Sequence, residues 1–294
     1  MAETGAVSAP YSLGLYEKAM PDLSWREKLT LTRECGFDYM EISIDETDKK
    51  LSRLDSEETQ REILAAIAET SVPIRTMCLS GHRKYPLGSH DPEIRARSLE
   101  IMQKAVAFAA RIGIRIIQLA GYDVYYENGD ADTRRWFLQN LRTAVEMAAM
   151  KGVLLGFETM ETPFLDTVEK GMRYVAEIDS PYLGMYPDIG NLKNAAVLYG
   201  TDVARDLEKG AAHTFAAHLK ETKPGLYRDM LFGQADGHTE YERCLTVLCG
   251  QGVRMFTGEF WYHGEEHYRE NIENAARFLR GKIDAVLMRS GSSD

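Results

Sequence analysis

The chain has 294 residues, room for one large domain or two ordinary ones, and at 44% hydrophobic and 27% charged it has a globular composition. Its 35 Lys and Arg against 45 Asp and Glu leave a net charge of −10 with no basic stripe, which speaks against a nucleic-acid partner. No apolar run reaches the ~20 residues of a membrane span, MAETGAVSAPYS lacks the basic start and apolar stretch of a secretory signal, and Cys35, Cys78, Cys244 and Cys249 show no CxxC spacing, so a reducing, cytoplasmic location is expected.

In chain order, eight short β-rich runs alternate with segments of helical period. Tyr11–Glu17 (YSLGLYE) opens the series and Tyr39–Asp45 (YMEISID) follows. Ser56–Thr70 then reads as a helix, with Asp55 and Glu58 at capping-box spacing. Ile74–Gly81 (IRTMCLSG) comes next, and Asp91-Pro92-Glu93 after it offers an N-cap, an N1 proline and a first-turn acid to a long helix. Ile114–Gly121, Val153–Thr159, Leu183–Gly190, Thr214–Glu221 and Arg254–Trp261 complete the runs. Thr239 and Glu242 repeat the capping-box spacing ahead of Tyr241–Cys249, and Gly36, Gly113, Gly152 and Gly252 stand where helices commonly end in a left-handed residue. Several runs are near-continuously apolar, as strands covered on both faces should be. An eight-fold βα alternation predicts a single (β/α)8 barrel over 1–294, with short polar tails, the C-terminal one being Ser290–Asp294. A doubly wound sheet is the rival, but it should carry a phosphate loop, and neither GxGxxG nor GxxxxGK[ST] is present.

In such barrels the chemistry sits at the C-terminal ends of the strands. That rule selects Glu17, Asp45, His82, Gln118, Glu158, Asp188, His218, Lys220 and Glu259. Glu158, Asp188, His218 and Glu259 end consecutive runs at spacings of 30, 30 and 41 residues. Three carboxylates and an imidazole gathered in one place call for a divalent cation between them, and this donor set suits Zn²⁺, Mn²⁺ or Co²⁺. His213 lies five residues before His218, on the opposite side of an extended strand, and reads as structural. His263 and His267 have HxxxH spacing but share a loop with Gly264 and read as surface.

ETMETP, YPDIGN, AHLKETKPG and GEFW, together with LGLYEKAMP, EISIDETDKKLSRLD, CLSGHRKYPLGS and IQLAGYDVYY, carry a family resemblance. From about Leu13 to Phe260 the chain resembles the L-ribulose-5-phosphate 3-epimerase family, also called L-xylulose-5-phosphate 3-epimerase, of the xylose-isomerase-like barrels. The resemblance implies one divalent metal ion, zinc or manganese, held by Glu158, Asp188, His218 and Glu259. It also implies Glu158 and Glu259 as the proton-transferring pair, and a homodimer. His218-Leu219-Lys220-Glu221 stands where HVKD is usual, and Phe232–Cys244 (FGQADGHTEYERC) replaces a pattern closer to FGEGxVDFERC, which puts substrate preference at that loop in question.

The activity expected is 3-epimerisation of a pentulose 5-phosphate: removing the C3 proton from one face and returning one to the other, through an enediolate stabilised by the cation. Lys220, Lys223, His82 and Arg83 are the candidates for the phosphate, and Gln118 and Asn191 for the sugar hydroxyls. Tyr122, Tyr125, Tyr126, Trp261 and Tyr262 line either the pocket or a subunit interface. A 3-epimerase of an unphosphorylated ketose would look much the same. An aldose–ketose isomerase would use the same fold but commonly two metals and more ligands. An apurinic-site endonuclease would need more strand-end histidines and a basic face. A non-catalytic sugar binder would not need two carboxylates flanking a metal.

Overall fold

The alternation of residues along the strands decides the architecture. The computed structural model describes residues 10–291. Its strands are β1 (Ser12–Tyr16), β2 (Tyr39–Ser43), β3 (Ile74–Leu79), β4 (Ile116–Ala120), β5 (Leu154–Glu158), β6 (Leu183–Met185), β7 (Ala217–Leu219) and β8 (Met255–Gly258). Every one lies within a run read from the sequence. Large apolar side chains such as Leu13, Leu15, Met40, Ile42, Ile117, Leu119, Leu155, Phe157, Leu219 and Phe256 belong to one fully buried cluster with the helices. The alternate residues along the same strands, among them Glu41, Ser43, Gln118, Glu158, His218 and Thr257, are polar and equally buried. A period of two with one face polar and both faces covered is the pattern of a barrel wall whose interior carries function.

All strand pairs are parallel, in the order β6-β5-β4-β3-β2-β1-β8-β7. The ring closes between β6 and β7 without a regular ladder, through single bridges at Met185–Thr214 and Asp188–His218. Three backbone bonds make this seam: Met185 N–H to the His213 carbonyl (2.7 Å), Phe215 N–H to Met185 (3.0 Å) and His218 N–H to Pro187 (2.9 Å). Gly184 permits the approach, since a Cβ there would lie 2.3 Å from the His213 carbonyl oxygen. On the neighbouring strands β1 and β2, Tyr39 fills space left by its partner Gly14, where a Cβ would fall 2.3 Å from the tyrosine ring.

The helices are α1 (Trp25–Glu34), α2 (Asp48–Leu51), α3 (Glu57–Thr70), α4 (Pro92–Ile112), α5 (Ala131–Ala149), α6 (Val168–Ile178), α7 (Ile189–Tyr199), α8 (Val203–Glu208), α9 (Tyr241–Gly250) and α10 (Tyr268–Gly291). The Asp91-Pro92-Glu93 start of α4 is as read, with the Asp91 carboxylate accepting from Glu93 N–H at 2.8 Å. Gly36, Gly113, Gly152 and Gly252 all adopt positive φ. Two caps differ from expectation. Ser56, not Asp55, caps α3, because Asp55 is drawn to Lys104 at 2.8 Å. Thr239 does not cap α9; its hydroxyl donates to the Lys220 carbonyl at 3.0 Å instead. The last helix runs into the segment read as a C-terminal tail, and the remaining tail residues, 1–9 and 292–294, lie outside the described residues. Among the described residues no helix is long and apolar enough to cross a membrane, and Cys35, Cys78, Cys244 and Cys249 are buried free thiols.

Candidate metal centre and active site

Four strands deliver four side chains that could hold a metal ion to one point. Glu158 ends β5, Asp188 follows β6, His218 lies on β7 and Glu259 follows β8; one ligand atom from each lies within 4.8 Å of the others, and all four residues are buried. Asp188 does two jobs. Its Oδ1 accepts the Asn191 N–H at 2.7 Å as the cap of α7, which leaves Oδ2 turned to the centre. His218 Nδ1 lies 3.1 Å from Glu158 Oε1 and 3.5 Å from Glu259 Oε2. Lys220 Nζ stands 3.0 Å from Asp188 Oδ2 and 3.2 Å from Glu259 Oε2.

The charges do not balance among themselves. Glu41, Glu158, Asp188 and Glu259 are buried carboxylates facing Lys220 and His218, so they exceed the cations by two even with the imidazole protonated. Burial raises the Glu158 carboxyl, and the Glu259 charge adds to it. Asp188 is pushed up to about 7, burial outweighing the pull of Lys220. Burial acts the same way on Glu259, but Lys220 and His218 override it and bring that carboxyl down to about 2. His218 is raised well above its ordinary value: burial opposes this, and Glu41, Glu259 and Glu158 prevail. Asp188 Oδ2 and Glu259 Oε2 have the Lys220 ammonium as an ion-pair partner but no well-aligned hydrogen bond. One ammonium shared between two buried carboxylates leaves both short of hydrogen bonds, which is costly. A divalent cation would satisfy both, so the donor set fits one.

The sequence reading missed Glu41. This wholly buried carboxylate in the middle of β2 has Oε1 2.6 Å from His218 Nε2. Its signal was parity: in YMEIS, Glu41 and Ser43 alternate with the apolar Met40 and Ile42, which marks the polar side as the inward one. The strand-end rule passed over it in favour of Glu17 and Asp45. Glu17 instead binds Lys28, Lys50 and Arg53 at 2.8 Å each, outside the centre. Asp45 pairs with Lys18 at 2.8 Å.

The remaining expected residues divide. Gln118 donates its amide to Glu158 Oε2 within the centre. Asn191 borders the pocket, with its amide donating to the Thr159 carbonyl at 2.8 Å. Arg83 and Lys220 line the pocket with Tyr16, Lys18, Arg228 and Trp261. His82 does not: it is buried with Nε2 3.2 Å from the Ser98 carbonyl, and burial lowers its pKa to about 4, which removes it as a phosphate cation. Lys223 is turned outward to Asp236. The divergent loop packs on Glu221 and Thr222, through Thr239 N–H to Glu221 Oε1 (3.1 Å) and His238 to the Thr222 hydroxyl (3.0 Å), and none of its residues borders the pocket. Arg228, unremarked in the sequence, does border it and donates to Glu161 Oε1 at 3.0 Å. Glu161 also accepts from Tyr122 (3.0 Å) and Tyr125 (3.3 Å). His263 pairs with Asp229 at the surface.

Comparison with known proteins follows the same lines. The xylose isomerase-like TIM barrel family matches residues 29–282. The L-ribulose-5-phosphate 3-epimerase UlaE of Shigella boydii serotype 18 is 45% identical over 280 residues, covering 94% of this chain and 96% of that one. The enzyme of the same name from Escherichia coli O157:H7 is 41% identical over the same shares. Solved structures agree on the fold. An L-ribulose 3-epimerase gives a TM-score of 0.74 at 16% identity, covering 97% of this chain and 98% of that one. A D-tagatose 3-epimerase-like protein gives 0.78 at 17%, covering 95% and 99%. The barrel, the strand-end cluster and 45% identity over 94% of the chain converge: the chain belongs to the L-ribulose-5-phosphate 3-epimerase family of xylose-isomerase-like TIM barrels.

Proposed function

We propose that this protein is a metal-dependent sugar-phosphate 3-epimerase that interconverts L-xylulose 5-phosphate and L-ribulose 5-phosphate. The observation that carries the reading is the buried meeting of Glu158, Asp188, His218 and Glu259, with two glutamates arriving from different strands. Epimerisation at C3 needs one group to take a proton from one face of the sugar and a second to give one to the other. Glu158 and Glu259 are those groups, approaching a common point from β5 and β8, and their roles exchange with the direction of reaction. Glu158, Asp188, His218 and Glu259 would hold a divalent cation, which when bound would supply electrostatic stabilisation of the negative charge that proton removal creates. Lys220 keeps Glu259 ionised and adds positive charge on the same side. Trp261, with the Lys220 ammonium 5.7 Å from its ring, and Tyr16 wall the pocket and limit water. For the phosphate, Arg83 and Arg228 at the pocket mouth replace His82 and Lys223 as the cations to consider. The named activity of the relatives supports the phosphorylated substrate.

One observation favours a second reading, an epimerase of the free ketose: Glu161 already neutralises Arg228 and so weakens the pull on a phosphate. Solvent deuterium incorporation at C3 distinguishes them, with L-ribulose 5-phosphate and L-ribulose tested side by side in added Mn²⁺ or Zn²⁺. Exchange on the phosphate ester with appearance of L-xylulose 5-phosphate, lost in Glu158→Gln and Glu259→Gln, supports the proposal. Exchange on the free sugar alone selects the second reading, and exchange on neither overturns both.

A further inference from the structure

A histidine can serve a cation through Nδ1 only if its other nitrogen carries the proton, and something must hold that proton in place. His218 Nδ1 faces Glu158 and Glu259, while Nε2 faces Glu41 Oε1 at 2.6 Å. Glu41 is itself fixed. Its Oε2 accepts from the Tyr186 hydroxyl at 2.9 Å, and that hydroxyl lies 2.8 Å from Thr257 Oγ1. Thr257 Oγ1 in turn lies 2.9 Å from the Tyr39 hydroxyl, whose one proton completes the chain when given to Thr257 and has the Phe256 carbonyl, also at 2.9 Å, as its other acceptor. Glu41, Tyr186, Thr257, Tyr39 and His218 are all fully buried, so no water competes for these bonds. Tyr186 also meets the imidazole ring edge-on, with centroids 4.9 Å apart, which restricts its rotation. A buried glutamate is unusual unless it is paired. Here the imidazole N–H and one phenol are what pair it.

We propose that Glu41 is a positioning residue for the metal centre: it holds the proton on His218 Nε2 and so presents the Nδ1 lone pair to the cation. The chain from Tyr39 through Thr257 and Tyr186 fixes the carboxylate for this purpose. The inference rests on the metal-dependent reading above, and it places one determinant of metal affinity on β2, a strand that supplies no ligand. Loss of such a supporting carboxylate typically weakens metal binding by about 10–100-fold.

The test is a chelator-competition measurement of Zn²⁺ and Mn²⁺ affinity in the full-length wild type, Glu41→Gln, Glu41→Leu and Tyr186→Phe, with ¹⁵N shifts of the His218 ring recorded in parallel. Glu41→Leu removes the acceptor and should lose affinity across that range, with the ring proton moving to Nδ1. Glu41→Gln keeps one acceptor oxygen and should recover part of the loss. Tyr186→Phe frees Glu41 Oε2 and should lose a smaller factor, which keeps the idea testable if Glu41→Leu does not fold. Equal affinity in wild type, Glu41→Gln and Tyr186→Phe would overturn the inference while leaving the metal site standing. No metal binding by wild type would remove the site itself.

Discussion

Replacing Arg228 by methionine separates charge from bulk at the pocket mouth. A charge-assisted hydrogen bond to a phosphate is worth about 1.5–3 kcal/mol, so Arg228→Met should raise KM for the phosphorylated ketose at least tenfold and leave kcat/KM on the free sugar nearly unchanged. Steady-state kinetics on both substrates checks this. Asp188 offers a second separation, because its two oxygens serve different partners. Asparagine caps helices as well as aspartate does. Asp188→Asn should therefore keep the melting temperature of the metal-free protein while metal affinity collapses, whereas Asp188→Ala should also lose about 1 kcal/mol of stability. Thermal melts in chelator, set beside metal titrations, resolve the two. The four residues that meet at the candidate centre were legible in the sequence because each breaks an apolar run at a strand end. Glu41 was not, because its job is to face another side chain. Nor were Arg228 and Glu161, whose loops take their shape from tertiary contacts that no local pattern encodes.

Among the elements, one buried carboxylate ties three segments together. Glu17, just after β1, holds Lys28 on α1, Lys50 on α2 and Arg53 in the turn beyond it. Burial would raise its pKa, but Lys50, Arg53 and Lys28 together hold it well below the ordinary 4.5. A carboxyl depressed on folding contributes stability that is complete above its unfolded value and is lost as pH falls below it. Glu17→Ala should cost about 3–5 kcal/mol near neutral pH, since it strands three cations, and the gap from wild type should shrink as pH falls below about 4.5. Denaturant melts across that pH range read it directly. The strands were legible as elements because their runs are short, apolar and evenly interrupted. Their ends were less so. Leu183–Gly190 looks like one strand, yet β6 stops at Met185, because Pro187 has no N–H for a ladder and Asp188 turns to cap α7. Thr239 shows the same limit: its spacing with Glu242 suggests a cap, and a carbonyl on the neighbouring loop claims its hydroxyl.

At the scale of the whole molecule, the sheet is a hoop fastened at one place. Among the described residues, β6 and β7 are joined by the bridges at Met185–Thr214 and Asp188–His218 alone, and the second of these joins two of the four residues of the candidate metal centre. The barrel was readable from the eight-fold alternation, but where it closes was not, since closure depends on register between runs 30 residues apart. Metal at about 100 times its Kd should add about 2.7 kcal/mol of stability. The seam assigns that gain an address. Amide hydrogen exchange at Met185, Phe215 and His218 should slow on metal addition far more than exchange in the β2–β3–β4 wall, and should speed again on chelation. Uniform slowing around the ring would show that the seam is no weaker than the rest. A cation gripped from both sides of that join would work as the clasp of the hoop, so that emptying the active site and springing the barrel become one event, and a cell short of metal would register the shortage as lost protein as well as lost turnover.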